Sequence, residues 1–283
     1  MPLTTTHEEQ HKNLTQENFR FLCQTVYQES GIVLDDSKGY LIEARLVPVA
    51  RDEGAASLDG LCNLIRSMGG RRIRDKVVEA MTTNETLFFR DLTPFQTLET
   101  VVIPELLKRR KGSRALRFWS AACSSGQEAY SLAMMWLDMR NPANEIEILG
   151  TDISEEMLDK ARGGKYMQLE VNRGLPAKYL VKHFTRQNMQ WEISFSIRAM
   201  VQWKKFNLKD NPVLLGTFDV VLCRNVLIYF DIETKRQILR NIRKTLAPGG
   251  YLILGSSETT LNIDETFRRR QVGRAILYQK PVQ

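Results

Sequence analysis

From residue 114 onward, short apolar runs alternate with amphipathic helical stretches, and this alternation leaves few folds open to the chain. Leu116 to Ala121 reads as a buried strand, and the helix after it carries Tyr130, Ala133, Met134 and Leu137 on one face. Ile146 to Thr151 reads as the next strand, with a helix beginning near Ser154. Phe218 to Cys223 repeats the theme, followed by a helix with Ile238, Leu239, Ile242 and Leu246, then the turn Pro248-Gly249-Gly250 into a strand from Tyr251 to Gly255. This order predicts an α/β domain whose mainly parallel sheet is covered on both faces. Ligands of such sheets bind beyond the carboxyl ends of the strands. One stretch departs from the pattern. Trp191, Ile193, Phe195 and Ile197 alternate with Glu192, Ser194, Ser196 and Arg198, a period of two that predicts an antiparallel strand with one wet face. With Met200 to Trp203 it marks a small β insertion.

The first 80 residues read as a separate helical domain. Phe19, Leu22, Cys23 and Val26 recur at helical spacing, as do Leu58, Leu61, Cys62, Ile65 and Met68, with Gly31 and Gly69-Gly70 as stops. Lys38 to Arg51 is also helical in pattern, but Pro48 is expected to kink or end it because its ring clashes with the preceding turn. At 283 residues and 43% hydrophobic composition, the chain can bury a large core and a small one, which excludes disorder. No run approaches the ~18 apolar residues of a spanning helix, and the N-terminal MPLTTTHEEQHKN lacks a signal-peptide layout. A soluble, cytoplasmic protein is expected. Cys23, Cys62, Cys123 and Cys223 form no C-x-x-C pair and histidines number three, so neither a metal cage nor a disulfide framework is expected.

The net charge of +7 raises the question of nucleic acid. Residues 1–80 hold 10 Lys+Arg against 12 Asp+Glu, whereas residues 81–283 hold 30 against 21. The excess therefore lies in the second part, although Arg71, Arg72, Arg74 and Lys76 make a local basic run in the first.

The strand at Leu116 runs into Ala122-Cys123-Ser124-Ser125-Gly126-Gln127-Glu128, where small residues let the backbone approach a ligand at a helix start. Ser125-x-x-Glu128 also fits a capping box. Asp152 ends the next strand, placed to accept hydrogen bonds from vicinal ribose hydroxyls, or to cap a helix. Turn and acid together favour a nucleoside cofactor. G-x-x-x-x-G-K-S/T is absent, and Glu128 would repel a pyrophosphate. S-adenosylmethionine, with an amino group in place of phosphates, suits that turn.

TTNETLFFRD (82–91), WSAACSSGQEAYS (119–131), GTDIS (150–154), FNL (206–208), CRNVLIYF (223–230) and LAPGGYLILGSSE (246–258) occur in order. Together they closely resemble the chemotaxis receptor methyltransferases, the CheR family, across nearly the whole chain. The resemblance implies a Rossmann-like class I S-adenosylmethionine-dependent methyltransferase domain (114–283) with a small antiparallel β insertion (about 164–203). A linker that covers the cofactor (81–113) and a small all-α N-terminal domain (1–80) precede it. It further implies methyl transfer from S-adenosylmethionine, leaving S-adenosylhomocysteine, to glutamate γ-carboxylates on the cytoplasmic region of bacterial chemoreceptors, the methyl-accepting chemotaxis proteins. By matching motif, Asn84, Thr86 and Arg90 would fold over the cofactor, with Ala121 in the strand-end motif beside it. Glu128 would contact its amino-acid end, Asp152 its ribose, Asn207 and Leu208 its adenine surroundings, and Arg224 with Asn225 the pocket floor.

A glutamate side chain is already ionised at neutral pH, so no general base is needed and placement carries the catalysis. Arg90 and Tyr229 are the candidates for orienting the acceptor, a guanidinium through paired donors and a phenol through one hydrogen bond. Two departures from the family pattern stand out. The stretch 37–54, basic in other members, balances to zero here, so docking could use Arg45 and Arg51 or the cluster with Arg71 and Arg72. The β-insertion turn Arg186 to Gln190 lacks glycine, which argues against a receptor pentapeptide tether. A monomer, cytoplasmic and recruited to membrane receptor arrays, is expected, with no metal, nucleic acid or membrane insertion. The alternatives are a nucleic-acid methyltransferase and a non-catalytic cofactor-sensing scaffold. Arg224-Asn225-Val226-Leu227 in place of an Asn/Asp-Pro-Pro-aromatic motif argues against the first, and the retained site residues against the second.

Overall fold

The computed structural model describes residues 14–109, 114–141 and 145–282. The thirteen N-terminal residues read above for a signal peptide, and residues 110–113 of the expected linker, lie outside them. The chain divides into two compact units, one reaching to Thr83 and taking in Tyr229–Asp231, the other comprising Asn84–Ile228 and Ile232–Gln283.

The first unit holds helices α1 (Gln16–Ser30), α2 (Gly39–Asp52), α3 (Leu58–Arg66) and α4 (Arg71–Met81). The Thr15 hydroxyl accepts the Asn18 N–H to start α1, and Gly31, at φ +81°, closes it with its N–H on the Tyr27 carbonyl. Leu22, Val26, Ile42, Leu46, Leu61 and Val77 are fully buried in the core. Pro48 does not end α2. The helix runs four residues further because Leu46 and Ala50 bury their side chains on either side of the proline; this packing offsets the one backbone hydrogen bond a proline forfeits. Met68, expected on the apolar face of α3, is fully exposed, because α3 has already ended at Arg66. Residues 229–231 join this unit through an antiparallel bridge from Ile32 to Phe230 and a Val33 N–H donated to the Tyr229 carbonyl at 2.9 Å.

In the second unit a continuous helical stretch comprises α5 (Thr93–Thr97), a π-helical turn (Leu98–Val102) and α6 (Ile103–Arg109). Then follow β1 (Leu116–Ala121), α7 (Gln127–Asp138), β2 (Ile146–Asp152), α8 (Glu155–Gly163), β3 (Lys165–Met167), α9 (Gln168–Asn172) and α10 (Ala177–His183). The chain continues through β4 (Phe184–Gln187), β5 (Gln190–Ile193), α11 (Phe195–Arg198), β6 (Val201–Lys205), β7 (Phe218–Cys223), α12 (Ile232–Thr245), β8 (Leu246–Leu254), β9 (Arg268–Val272) and β10 (Ala275–Gln279). The main sheet has the order β6-β2-β1-β7-β8-β10-β9, parallel from β6 to β8 and antiparallel at β10 and β9. A three-stranded antiparallel sheet, β3-β5-β4, stands apart from it.

Three expectations are corrected here. The alternating stretch is a strand only to Ile193, and Phe195–Arg198 is a helical turn. Phe195 is 76% exposed whereas Ile197 is fully buried, so the two do not share a face as a strand requires. Val201–Lys205 is not part of the small sheet; it pairs parallel with β2 as the edge of the main one. Leu246 opens β8 rather than closing α12, and the register jumps from Phe218–Leu246 to Val220–Tyr251. Residues 248–250 absorb that jump, Gly249 at φ +75°. Among the described residues no helix is long and apolar enough to cross a membrane.

Candidate functional site

The turn after β1 is built from left-handed backbone: Ala122, Ser124 and Gly126 have φ of +57°, +50° and +92°. Non-glycine residues in that region are strained and persist where surrounding contacts fix them. Here the Cys123 N–H donates to the Thr151 carbonyl at 2.9 Å, and the Ser124 N–H to Asp152 Oδ2 at 2.7 Å. A Cβ on Gly126 would lie 2.8 Å from the Trp203 ring and 2.9 Å from Ala161 Cβ, so the turn packs too closely for a side chain.

Both bland readings of the acids fail. No side chain caps α7, and Ser125 bonds Gln127 instead. Glu128 accepts the Ser120 hydroxyl at 2.7 Å on one oxygen and Arg224 Nη1 at 3.0 Å on the other. Ser154, not Asp152, caps α8. Asp152 is buried, with Oδ1 accepting the Ser154 N–H and its carbonyl accepting the Phe206 N–H at 2.9 Å. This last bond sets the 206–208 segment beside the end of β2.

Two bonded chains thus converge at the carboxyl ends of β1, β2 and β7. In one, Arg224 spans Glu128, the Arg90 carbonyl at 2.8 Å and Asp91 at 2.7 Å. In the other, Asp152 holds Ser124, whose hydroxyl donates to the Asn84 carbonyl at 2.7 Å. The Arg224 side chain is almost wholly buried, and its Nε has no partner. Phe89, Asp91 and Leu92, near Arg90, also have positive φ.

The remaining candidates are placed as follows. Ala121 is buried at the end of β1, Leu208 is buried, and Asn207 accepts the Lys209 N–H. Thr86 is half-buried, and the Arg90 guanidinium donates to the Glu85 carbonyl at 3.0 Å. Asn225 follows Arg224 at φ +57°. Tyr229 belongs to the first unit. Of the docking candidates, Arg45 is taken up by the carbonyls of Met81 and Thr82 at the end of α4, and Arg72, with Lys76, by Glu53. Arg51 and Arg71 are exposed.

Sequence reasoning passed over Ser120, Ser124, Asp91 and Glu258. All four lie inside the quoted motifs, but each has a partner on another element, 8 to 133 residues away. Burial pushes the Cys123 and Cys223 thiols well up, with Asp152 and Glu128 adding to the first and Glu258 and Glu128 to the second. Both stay protonated.

This parallel sheet, with its strained first turn and an acid at the end of the second strand, is the architecture of S-adenosylmethionine-dependent methyltransferases. Residues 17–82 match the model of the CheR methyltransferase all-alpha domain, and residues 84–276 that of the CheR methyltransferase SAM binding domain. The chain belongs to the CheR methyltransferase family, and S-adenosylmethionine is its cofactor. It is 44% identical to chemotaxis protein methyltransferase 1 of Pseudomonas aeruginosa over 256 residues, covering 88% of this chain and 92% of that one. It is 41% identical to chemotaxis protein methyltransferase Cher2 of Pseudomonas putida over 274 residues, covering 94% and 98%. Among solved structures, the N-methyltransferase NodS from Bradyrhizobium japonicum, in complex with S-adenosylhomocysteine, is a distant likeness: TM-score 0.41, 15% identity, 79% of this chain and 97% of that one.

Proposed function

We propose that this protein methylates the γ-carboxylate of glutamates on the cytoplasmic region of bacterial chemoreceptors, giving methyl esters. What supports the acceptor chemistry is that the acids around the site are committed to other partners, Glu128 and Asp91 to Arg224, Glu85 to Arg173 and Asp152 to the Ser124 N–H. The site's two thiols are held protonated, and the one described histidine, His183, lies on α10 with Nε2 buried. An amine or hydroxyl acceptor would need a proton removed; a glutamate, with a pKa of about 4.3, arrives ionised. The names of the relatives support the receptor as its source.

The cofactor supplies the methyl group on a sulfonium when bound. The chain's own part is to hold and exclude. In this reading Asp152 holds the ribose and Glu128 the amino-acid end. Asn207 and Leu208 flank the adenine, Ala121 lines the strand end, Asn84 and Thr86 cover the pocket, and Arg224 with Asn225 forms its floor. Arg90 orients the acceptor carboxylate, and the Tyr229 assignment rests on its motif alone. Holding the acceptor carboxylate against the bound cofactor would supply roughly 7–11 kcal/mol through orientation alone. Arg51 and Arg71 are the proposed receptor contacts, since Arg45 and Arg72 are engaged internally. The β4–β5 turn is two residues, Asn188-Met189, with Asn188 at φ +54°, and we assign no pentapeptide tether to it.

Incubation with labelled S-adenosylmethionine and a receptor cytoplasmic fragment tests the reading. Label released as methanol in base is the expected result. Stable label on nucleic acid, or none on the receptor, refutes it. Arg90→Ala and Tyr229→Phe should lower turnover by about 10- to 100-fold, the range of lost orientation, with little change in S-adenosylhomocysteine affinity. Unchanged turnover in both removes their roles.

A further inference from the structure

Glu258 lies in no role assigned above, yet its carboxylate accepts four backbone N–H groups. Oε2 accepts the Asn225 N–H and the Gly255 N–H, both at 2.7 Å. Oε1 accepts the Val226 N–H at 2.9 Å and the Leu227 N–H at 2.7 Å. An ionised carboxylate offers about four lone-pair sites and no donor, so four amides match its full capacity. Three of them come from the loop after β7 and one from the end of β8. The side chain therefore ties the two strand ends together.

The local sequence is fitted to this carboxylate. A Cβ on Gly255 would lie 2.7 Å from Glu258 Oε2 and 2.9 Å from the Asn225 nitrogen, so only glycine lets the carboxylate reach the loop. Asn225 adopts φ +57°, a conformation that costs free energy in a non-glycine residue; the gripped amides offset that cost. Arg224 precedes the first gripped amide and bonds Glu128, Asp91 and the Arg90 carbonyl. Its guanidinium can meet three partners only if its backbone is held. Glu258 and Asp91 also line one cavity of about 290 Å³, so the pin and an Arg224 partner border the same space.

We infer that Glu258 is a positioning residue: by pinning the amides of residues 225–227 it presets Arg224 and Asn225 for the cofactor, acting through them rather than touching it. The inference rests on the assignment of Arg224 and Asn225 to the pocket floor. Two variants test it. Glu258→Gln is isosteric but turns an amide NH₂ toward N–H donors; Gly255→Ala displaces the carboxylate without removing it. Hydrogen exchange should show lost protection at 225–227 with α12 and the interior of β8 unchanged. The S-adenosylhomocysteine Kd should rise about tenfold or more, because the binding-competent loop becomes the minor state, and saturating ligand should restore protection. Retained protection in both variants overturns the inference, as does protection lost uniformly across the unit, which marks a merely structural residue. Lost protection with unchanged affinity overturns the link to the site. An Arg224→Lys control separates that outcome from failure of the floor assignment, since unchanged affinity there strikes at Arg224 itself.

Discussion

Gly150 is pinned by an indole. It stands in β2 opposite Trp203 of β6, and a Cβ on it would lie 2.5 Å from Trp203 Cε3 and 3.3 Å from Cys123 Sγ. Gly126 meets the same ring, so one tryptophan dictates two glycines, one in the turn after β1 and one in β2. Gly150→Ala should destabilise the protein by about 1–3 kcal/mol, the cost of overpacking a filled core, with a drop in thermal midpoint of about 2–4 °C per kcal/mol. A midpoint unchanged within a degree would show that the ring can move aside. At this scale the sequence was legible where residues sit in a short motif: Glu128 and Arg224 lie in one of the two bonded chains at the strand ends and Asp152 in the other. It was opaque where the reason for a residue is distant. Nothing near Gly150 announces Trp203, 53 positions on, and Ser125-x-x-Glu128 mimics a cap that the pull of Arg224 on Glu128 leaves unmade.

Elements buried on both faces were the readable ones. β1, β2 and β7 are largely buried, and their apolar runs, broken only by Arg117, Ser120, Glu147, Asp219 and the polar end of β2, stand out in the sequence. Phe195–Arg198 misled because a four-residue helix is too short to show its period. The helical stretch 93–109 went unassigned although Phe95, Leu98, Val102, Ile103 and Leu106 are buried in the main core at helical spacing; a polar tie holds it as well. On α6, Glu105 accepts Tyr251 Oη at 2.8 Å and takes the Arg270 guanidinium on both oxygens, at 2.6 and 2.7 Å, tying the helix to β8 and β9. Arg270 holds the Glu105 carboxyl at about 2, against an ordinary value of 4.5. A depressed carboxyl stabilises the fold above the unfolded value, and that contribution is lost as pH falls from about 4.5 toward 2. Because both side chains are about a third exposed, about 1–2 kcal/mol is a suitable screened magnitude. Glu105→Gln should lower the thermal midpoint at pH 7 and flatten its decline between pH 5 and 3. Parallel curves for the two proteins would mean the carboxylate carries none of the acid sensitivity.

Across the whole chain, charge is divided unevenly: residues 81–283 carry 30 Lys+Arg against 21 Asp+Glu, and residues 1–80 carry 10 against 12. On the proposed function the acceptor is an acidic protein segment, and every methyl ester formed removes one of its charges. A basic catalytic part facing such a substrate gains in encounter rate rather than in grip, since exposed charges act over a Debye length of about 8 Å at physiological salt. The cofactor response should differ. On the proposed assignment its contacts are Arg224, Glu128 and Asp152, which are buried, and buried groups are screened far less. Raising salt from about 50 mM to 500 mM should therefore lower kcat/KM for a receptor fragment by about tenfold, while the S-adenosylhomocysteine Kd and kcat at saturating receptor stay nearly constant. Methylation that esterifies successive glutamates should weaken the salt dependence step by step, because each product is less acidic than its substrate. If affinity for the cofactor product falls in parallel with kcat/KM, salt is acting on the pocket, and the basic surplus has no part in finding the acceptor.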